Sequence, residues 1–366
     1  MTNKKPISVP GKNYYAWRYK EHTKTKHDIL QCYLEKWFVI LGKYYPVNYF
    51  DCFGGCGIYT FDGVTFNPGS PILAAQAWLK RGNKANDLRM ICIEKKKANL
   101  ENLKKVFADY LPTMRTPYFI QDDFDHSVNA ILDDIDKSDK VLAPSFFFVD
   151  PFGFTLKYST IKRIMNVEKS EVFLNFMYDS VQRHLTNPNV NNCMDELFGC
   201  KQWKDIANCS SLKKEQAIIG FYRDQLKEIA NFVIPFRVCY TDRNRTIYYL
   251  IHLTNNLKGA SIMKSCVAET NNGVLSYLGK QKDQSTFFDK SSYKEEDLKI
   301  LLMELLFPNS MTFNEIVTQL IDSTPYLEKE IRTVLKHLRN EGIVNKTSVS
   351  SKQESAIKDD DILTLI

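Results

Sequence analysis

Seven consecutive residues, Asp51-Cys52-Phe53-Gly54-Gly55-Cys56-Gly57, place a carboxylate just before three glycines in four positions. Glycines let a backbone approach a ligand closely and adopt positive φ. They follow a short apolar run at 47–51, where open α/β sheets bind ligands beyond their strand ends. The spacing is not Gly-x-Gly-x-x-Gly, and no Gly-Lys-Ser/Thr follows, which disfavours a phosphate loop. An acid in that position repels phosphate but suits a cationic amino-acid group. The bland reading of the same residues is a tight strand-to-helix turn.

Three further carboxylate positions end other apolar runs. Glu94 closes Ile91-Cys92-Ile93. An acid there can accept two hydrogen bonds from a ribose diol, although residues 58–69 are inserted before it and a solvated strand-end acid is the simpler reading. Asp122-Asp123 follows a third run and could contact an adenine amino group or cap a helix starting near Asp125. The fourth is Phe148-Val149-Asp150-Pro151-Phe152-Gly153-Phe154. Asp150 and the free carbonyl of Pro151 could grip an amino group while Phe152 or Phe154 stacks on its base. Asp-Pro-x-Gly is also a common turn. Any one of these sites could be structural; four of them at the ends of successive strands point to a single ligand crevice.

The elements that must position these residues can be read from hydrophobic periodicity. Apolar residues at three- and four-residue steps predict a helix over 27–42. Short apolar runs at 47–51, 89–94, 118–121, 145–150 and 172–177 lack alternation, as strands covered on both faces do. Helical patterns at 70–81, 96–109, 125–137 and 160–166 lie between them, which predicts a doubly wound α/β sheet. Runs at 232–241 and 246–254 read as a hairpin that adds an antiparallel neighbour, after a helical insertion at 179–230. A polar linker is expected over 279–292. Three helical patterns follow, the second with Thr312 and Glu315 as a capping box, and then two short strands, which is a winged-helix plan.

Charge distribution bears on the partner. Of 366 residues, 49 are basic and 43 acidic, a net charge of +6. The first 27 hold seven basic side chains and one acid, whereas 291–366 carry a net charge of −4. A polyanion is therefore expected on the N-terminal part. Lys24 and Lys26, beside His22 and His27, could bind a phosphate backbone or belong to a solvated tail. Arg243 and Arg245 flank the hairpin tip. Arg332, Lys336 and Arg339 share a helix face. No apolar stretch approaches a membrane span, and the polar N-terminus has no signal-peptide core. Nine scattered cysteines suggest a reducing cytosol. The loose series His184, Cys193, Cys200 and Cys209 is a poor zinc site, so no metal is expected.

Asp51, Phe53, Gly55 and Gly57 match motif I of class I S-adenosylmethionine-dependent methyltransferases, Asp-x-Phe-x-Gly-x-Gly, which the segment resembles. Glu94 stands at that superfamily's ribose-binding acid, and Asp122 or Asp123 at its adenine-contacting acid. Asp150-Pro151-Phe152-Gly153 resembles motif IV of amino-methylating enzymes but departs from it in its last two places, and it is also similar to tRNA guanine-N2 methyltransferases. More narrowly, Tyr33-Leu34, Trp37, the segment 49–57, Pro68-Gly69-Ser70-Pro71, 148–153 and Leu253-Thr254-Asn255-Asn256 resemble the three-Cys-motif partner protein family along nearly the whole chain. So do Gly259 and Ile262-Met263-Lys264.

Charge and periodicity set off a basic arm and helix at 1–46, and that resemblance implies a Rossmann-like methyltransferase domain at 47–280 and a winged helix at 293–366. It also implies S-adenosylmethionine as cofactor, a bacterial or phage-related source and a partner bearing a three-cysteine motif. The expected function is methyl transfer to a base amino group of RNA or DNA in the cytoplasm. Asp51, Phe53, Gly54, Gly55, Gly57, Glu94, Asp122 and Asp123 would bind cofactor, and Asp150, Pro151 and Phe152 would carry catalysis. Lys24, Lys26, Gly153, Phe154, Arg243 and Arg245 would contact nucleic acid. The alternative is a catalytically silent subunit of a three-Cys-motif or phage-defence complex.

Overall fold

A computed structural model describes residues 6–80, 88–138, 140–153, 155–206, 211–240, 243–270, 275–281, 284–288, 294–348 and 356–366. The chain divides into two compact units, Met1–Val274 and Leu275–Ile366.

The first unit is built on strands β1 (Val47–Asp51), β2 (Leu88–Ile93), β3 (Tyr118–Ile120), β4 (Ser145–Val149), β5 (Ser170–Phe176), β6 (Phe232–Tyr240) and β7 (Arg243–Thr254). Their spatial order is 3-2-1-4-5-7-6. β1 pairs in parallel with β2 and β4, β2 with β3, and β4 with β5. β7 runs antiparallel to both β5 and β6. The first five positions follow the doubly wound order, in which ligands bind outside the carboxyl strand ends. As expected, the chain adopts a Rossmann-like α/β sheet, mostly parallel with β7 as its antiparallel member.

Every residue of β1, β4 and β5 is buried, as continuous apolarity requires. Phe50 stacks on Phe147 at 4.2 Å between centroids, locking β1 to β4. Helices α1 (Glu21–Leu41), α2 (Ser70–Leu79), α3 (Lys97–Tyr110), α4 (Phe124–Lys137) and α5 (Tyr158–Met165) fall close to the predicted ranges. α1 starts six residues earlier than its apolar periodicity suggested, because its first turns are polar and charged. The insertion is helical, with Tyr178–His184, Asn191–Phe198, Trp203–Ile206 and Ser211–Lys227.

Residues 7–18 are not a free arm. Ile7–Ser8 and Tyr15–Arg18 pair with each other, and Tyr15–Arg18 pairs in parallel with Ile58–Thr60, which hairpins onto Phe66–Pro68. The insertion at 58–69 is thus the docking strand for the N-terminus. Asn102 of α3 fixes the arrangement: it accepts from the Tyr15 amide and donates to the carbonyls of Tyr15 and Cys56, all at 2.8 Å.

In the second unit, Leu275–Gln281 and Gln284–Phe288 form an antiparallel pair where a polar linker was expected. Helices Glu295–Leu306, Phe313–Leu320 and Glu328–Asn340 follow. The expected capping box is present: the Glu315 amide donates to Thr312 Oγ1 at 3.2 Å, and the Thr312 amide to Glu315 Oε2 at 2.7 Å. Ile362–Leu365 lies between Met311–Thr312 and Val344–Thr347 in a small antiparallel sheet. Arg332 is tied down by Phe313, 3.8 Å below its guanidinium, and by Asp359 at 2.8 Å, while Lys336 is exposed. Among the described residues no helix is long and apolar enough to cross a membrane.

Candidate active site

The glycine turn leaves the carboxyl end of β1 with Gly55 at φ +61° and Gly57 at φ +84°, values that L side chains rarely adopt. The turn is bound to the end of β2. The Gly54 amide donates to the Ile93 carbonyl at 2.8 Å, and the Gly55 amide to Glu94 Oε2 at 3.1 Å. Glu94 is buried, and its other oxygen accepts from the Lys96 amide at 2.7 Å. Gly57 lies against α3, where a Cβ would come within 2.6 Å of Leu103 Cδ1.

Asp51 is wholly buried. Tyr49 donates its hydroxyl to Oδ2 at 2.9 Å, while Oδ1 has no hydrogen-bond partner among the described residues. Burial pushes its pKa up to about 7; the nearby charge of Asp150 adds to this, and Ser70, Tyr49 and the Phe53 amide oppose it. Ser70 and Phe53 thus act on the carboxyl without closing a hydrogen bond onto Oδ1. A buried carboxylate with one unmatched oxygen is a place for a donor, and a cationic one fits best.

Asp150 follows β4 directly. Asn175, near the end of β5, donates to its Oδ1 at 2.6 Å, and Lys26 of α1 donates to its Oδ2. Lys26 was expected on a basic surface, yet it is only 5% exposed and points inward. Its ammonium lies 5.6 Å from the Tyr248 ring centroid, and the Tyr248 hydroxyl donates to the His22 carbonyl. His27 is buried, with Nδ1 2.8 Å from the Tyr19 hydroxyl. Burial and then neighbouring lysines push the pKa of His22 down to about 4; burial and then Lys26 push His27 down to about 3. Tyr59 stacks on Tyr19 at 5.2 Å and brings its hydroxyl within 3.3 Å of where a Gly55 Cβ would stand. Tyr19, Tyr59 and Tyr248 were not singled out in the sequence. Asn175 reaches Asp150 because it sits near the carboxyl end of β5.

Other expected residues divide. Asp123 caps α4, accepting from the His126 amide at 3.0 Å. Asp122 pairs with the His126 ring, which holds its carboxyl below the usual range. Phe53 packs on Phe124 at 5.7 Å. Pro151 is buried, Phe152 is 87% exposed and Gly153 has φ +88°. Phe154 and the side chain of Arg243 lie outside the described residues. Lys24 is exposed beside Asp28 at 2.5 Å, and Arg245 bonds Asp179 at 2.5 Å. The structure therefore joins Asp51, the glycine turn, Glu94 and Asp150 along one sheet edge, with Asp122 and Asp123 engaged by α4.

No protein-family model matches the chain, and no curated protein matches it. Among solved structures, it is similar to a Legionella pneumophila protein described by the family model DUF519, with 15% identity over 73% of this chain and 97% of that one and a TM-score of 0.41. It is also similar to a SAM-dependent methyltransferase from Agrobacterium tumefaciens, with 10% identity over 69% and 70% of the two chains and a TM-score of 0.35. Human methyltransferase-like protein 13 in complex with SAH shares 10% identity over 67% of this chain and 92% of that one, with a TM-score of 0.35.

Proposed function

We propose that the chain is an S-adenosylmethionine-dependent methyltransferase acting on an amino group of a nucleic-acid base, in RNA or DNA. The observation that carries this reading is the unpartnered, buried Oδ1 of Asp51 at the head of a glycine turn whose amide is bonded to Glu94. Asp51 suits the ammonium of the cofactor's amino-acid part. Glu94 has lone pairs left for ribose hydroxyls, because each oxygen accepts a single amide. Asp122 or Asp123 would meet the adenine amino group, with Phe53 beneath it. The bound cofactor supplies an activated methyl group, so what the protein adds is mostly positioning.

Asp150 and the Pro151 carbonyl would orient the acceptor nitrogen, and exposed Phe152 would stack on its base. Gly153 lets the chain turn there, and Phe154 is a second aromatic candidate. A duplex substrate would have to be flipped open. Lys24, Arg243 and Arg245 remain candidates for the phosphate backbone, whereas buried Lys26 is better read as Asp150's counter-ion. The second unit, with three helices and a small antiparallel sheet, is read as a winged helix that docks nucleic acid or a partner bearing a three-cysteine motif. The cytoplasm is the proposed location.

One observation favours a second reading. Both oxygens of Asp150 already have donors, Lys26 and Asn175. A site filled by its own side chains suits a silent methyltransferase-like subunit.

Titration calorimetry with S-adenosylmethionine separates these readings from the bland one. Near pH 6.5, an ammonium at Asp51 should expel the proton that burial retains. The heat should then depend on the buffer's ionisation enthalpy, and Asp51→Asn should remove that dependence. No binding at all would end the methyltransferase reading and favour the silent subunit. Binding with no labelled methyl transfer to total RNA or DNA would select the silent subunit. Transfer that survives Asp150→Ala would refute the acceptor assignment.

A further inference from the structure

Two thiols meet between α1 and helix Leu257–Thr270. Cys32 Sγ and Cys266 Sγ are 2.6 Å apart, although 234 residues separate them in sequence. Cys266 is fully buried and Cys32 is partly exposed. One helical turn beyond Cys32, the Lys36 ammonium bonds both oxygens of Glu269 at 2.8 and 2.9 Å. Glu269 Oε2 in turn lies 3.5 Å from Cys32 Sγ. A half-open thiol with a cation nearby is the kind that reacts, whereas a buried apolar one is inert, and here the Glu269 carboxylate offsets part of the Lys36 charge.

We propose that Cys32 and Cys266 are an oxidative modification site, a dithiol in which Cys32 reacts first with a peroxide and Cys266 resolves it to a disulfide. The proposal does not rest on the methyltransferase reading. The contact with Cys266, and after it the Lys36 ammonium, favours the Cys32 thiolate and outweighs burial and the Glu269 carboxylate, which oppose it, while contact with Cys32 and burial hold Cys266 protonated. The division of labour follows: the exposed sulfur is the nucleophile and the enclosed one waits. Cys52, Cys56 and Cys92 are buried, and their thiols are pushed up by burial, so they do not compete.

The chemistry balances in two steps. The Cys32 thiolate attacks one peroxide oxygen; an S–O bond forms, the O–O bond breaks, and the departing oxygen takes a proton. Cys32 has then lost two electrons to the peroxide and is a sulfenic acid. The Cys266 sulfur attacks Cys32 Sγ; an S–S bond forms, the S–O bond breaks, and hydroxide leaves with the Cys266 proton as water. An external dithiol reverses the change by returning two electrons and two protons.

The test uses the full folded chain treated with equimolar hydrogen peroxide. Free thiols are then blocked, and the protein is digested without reductant and analysed by mass spectrometry. A peptide pair linked through Cys32 and Cys266, lost on adding dithiothreitol, is the expected result. Cys266→Ser should leave Cys32 as a sulfenic acid that dimedone traps, and Lys36→Met should slow the first step about tenfold, the effect of one unit in thiol pKa. Oxidation of exposed Cys193 without any linked pair overturns the proposal. An unchanged rate in Lys36→Met overturns the role of the cation.

Discussion

Lys26 and Asp150, 124 residues apart in sequence, form an ion pair at the carboxyl edge of the sheet, and the cation is the deeper partner. The Lys26 side chain is 6% exposed and that of Asp150 is 24%. Asn175 completes the arrangement from β5. α1, β4 and β5 are thereby joined at the residue proposed to face the acceptor.

Removing one member of a buried pair strands the other, and the penalty scales with how dry the survivor is. Asp150→Asn leaves the drier group, the ammonium, uncompensated and should cost about 3 kcal/mol. Lys26→Met leaves a carboxylate that retains Asn175 and some water and should cost about 1 kcal/mol. The double variant should recover part of the sum, because the two sites are coupled. Urea unfolding measures all three. Equal single losses that simply add would show that the pair is not an interacting unit.

Asp51 and His27 should pull stability in opposite directions with pH. The folded pKa of Asp51 is raised from 3.8 to about 7. Between those values the native state holds a proton that the unfolded chain has released. Its contribution is therefore complete at low pH and is lost as pH rises through 7, by on the order of 4 kcal/mol. The folded pKa of His27 is lowered from 6.5 to about 3. Its contribution is complete above 6.5 and is lost as pH falls toward 3. The two nearly cancel between pH 4.5 and 6.5. Asp51→Asn should leave a Tm that rises with pH relative to wild type, and His27→Gln one that falls. Melts at three pH values in that interval decide the matter; slopes of the same sign would refute the opposed titrations.

The parallel strands were legible because burial on both faces writes itself as unbroken apolar runs, Phe146-Phe147-Phe148 being the plainest. The capping box at Thr312 and Glu315 was legible because it is local. What escaped is non-local. Tyr15–Arg18 is too short to show a period and becomes a strand only by pairing with Ile58–Thr60. Lys26 sits in a lysine-rich stretch that reads as solvated, and nothing in its spacing reveals a carboxylate contributed by β4. Leu275–Gln281 and Gln284–Phe288 are polar enough to read as a linker. Asp123 caps α4 through Oδ1, one of the two roles its position allowed, and the adenine contact stays a proposal.

Two glycines with similar φ should tolerate alanine very differently. Gly57, at φ +84°, has Leu103 Cδ1 within 2.6 Å of a new Cβ. At Gly153, φ +88°, a new Cβ would meet nothing within 4 Å among the described residues. Gly153→Ala should therefore cost about 1 kcal/mol, for backbone conformation alone. Gly57→Ala adds overpacking against α3 and should cost about 3 kcal/mol. The difference in unfolding free energy isolates the steric part. Equal losses would mean that α3 yields freely, and with it the rigidity attributed to the glycine turn.

Phe152 separates binding from folding. It is 87% exposed, next to a buried proline and two residues beyond Asp150. A large aromatic left in water at a strand-end turn contributes little to stability, so Phe152→Ala should change it by less than about 0.5 kcal/mol. If the ring stacks on a base, its loss should weaken binding by about 1–3 kcal/mol, roughly 5- to 150-fold in Kd. Phe152→Trp, which keeps a π-face, should restore affinity, whereas Phe152→Leu should not. Fluorescence anisotropy with a labelled single-stranded oligonucleotide measures each variant. If leucine restored affinity as well as tryptophan, the ring would be acting as plain apolar surface, and the acceptor base would have to be sought elsewhere along the sheet edge.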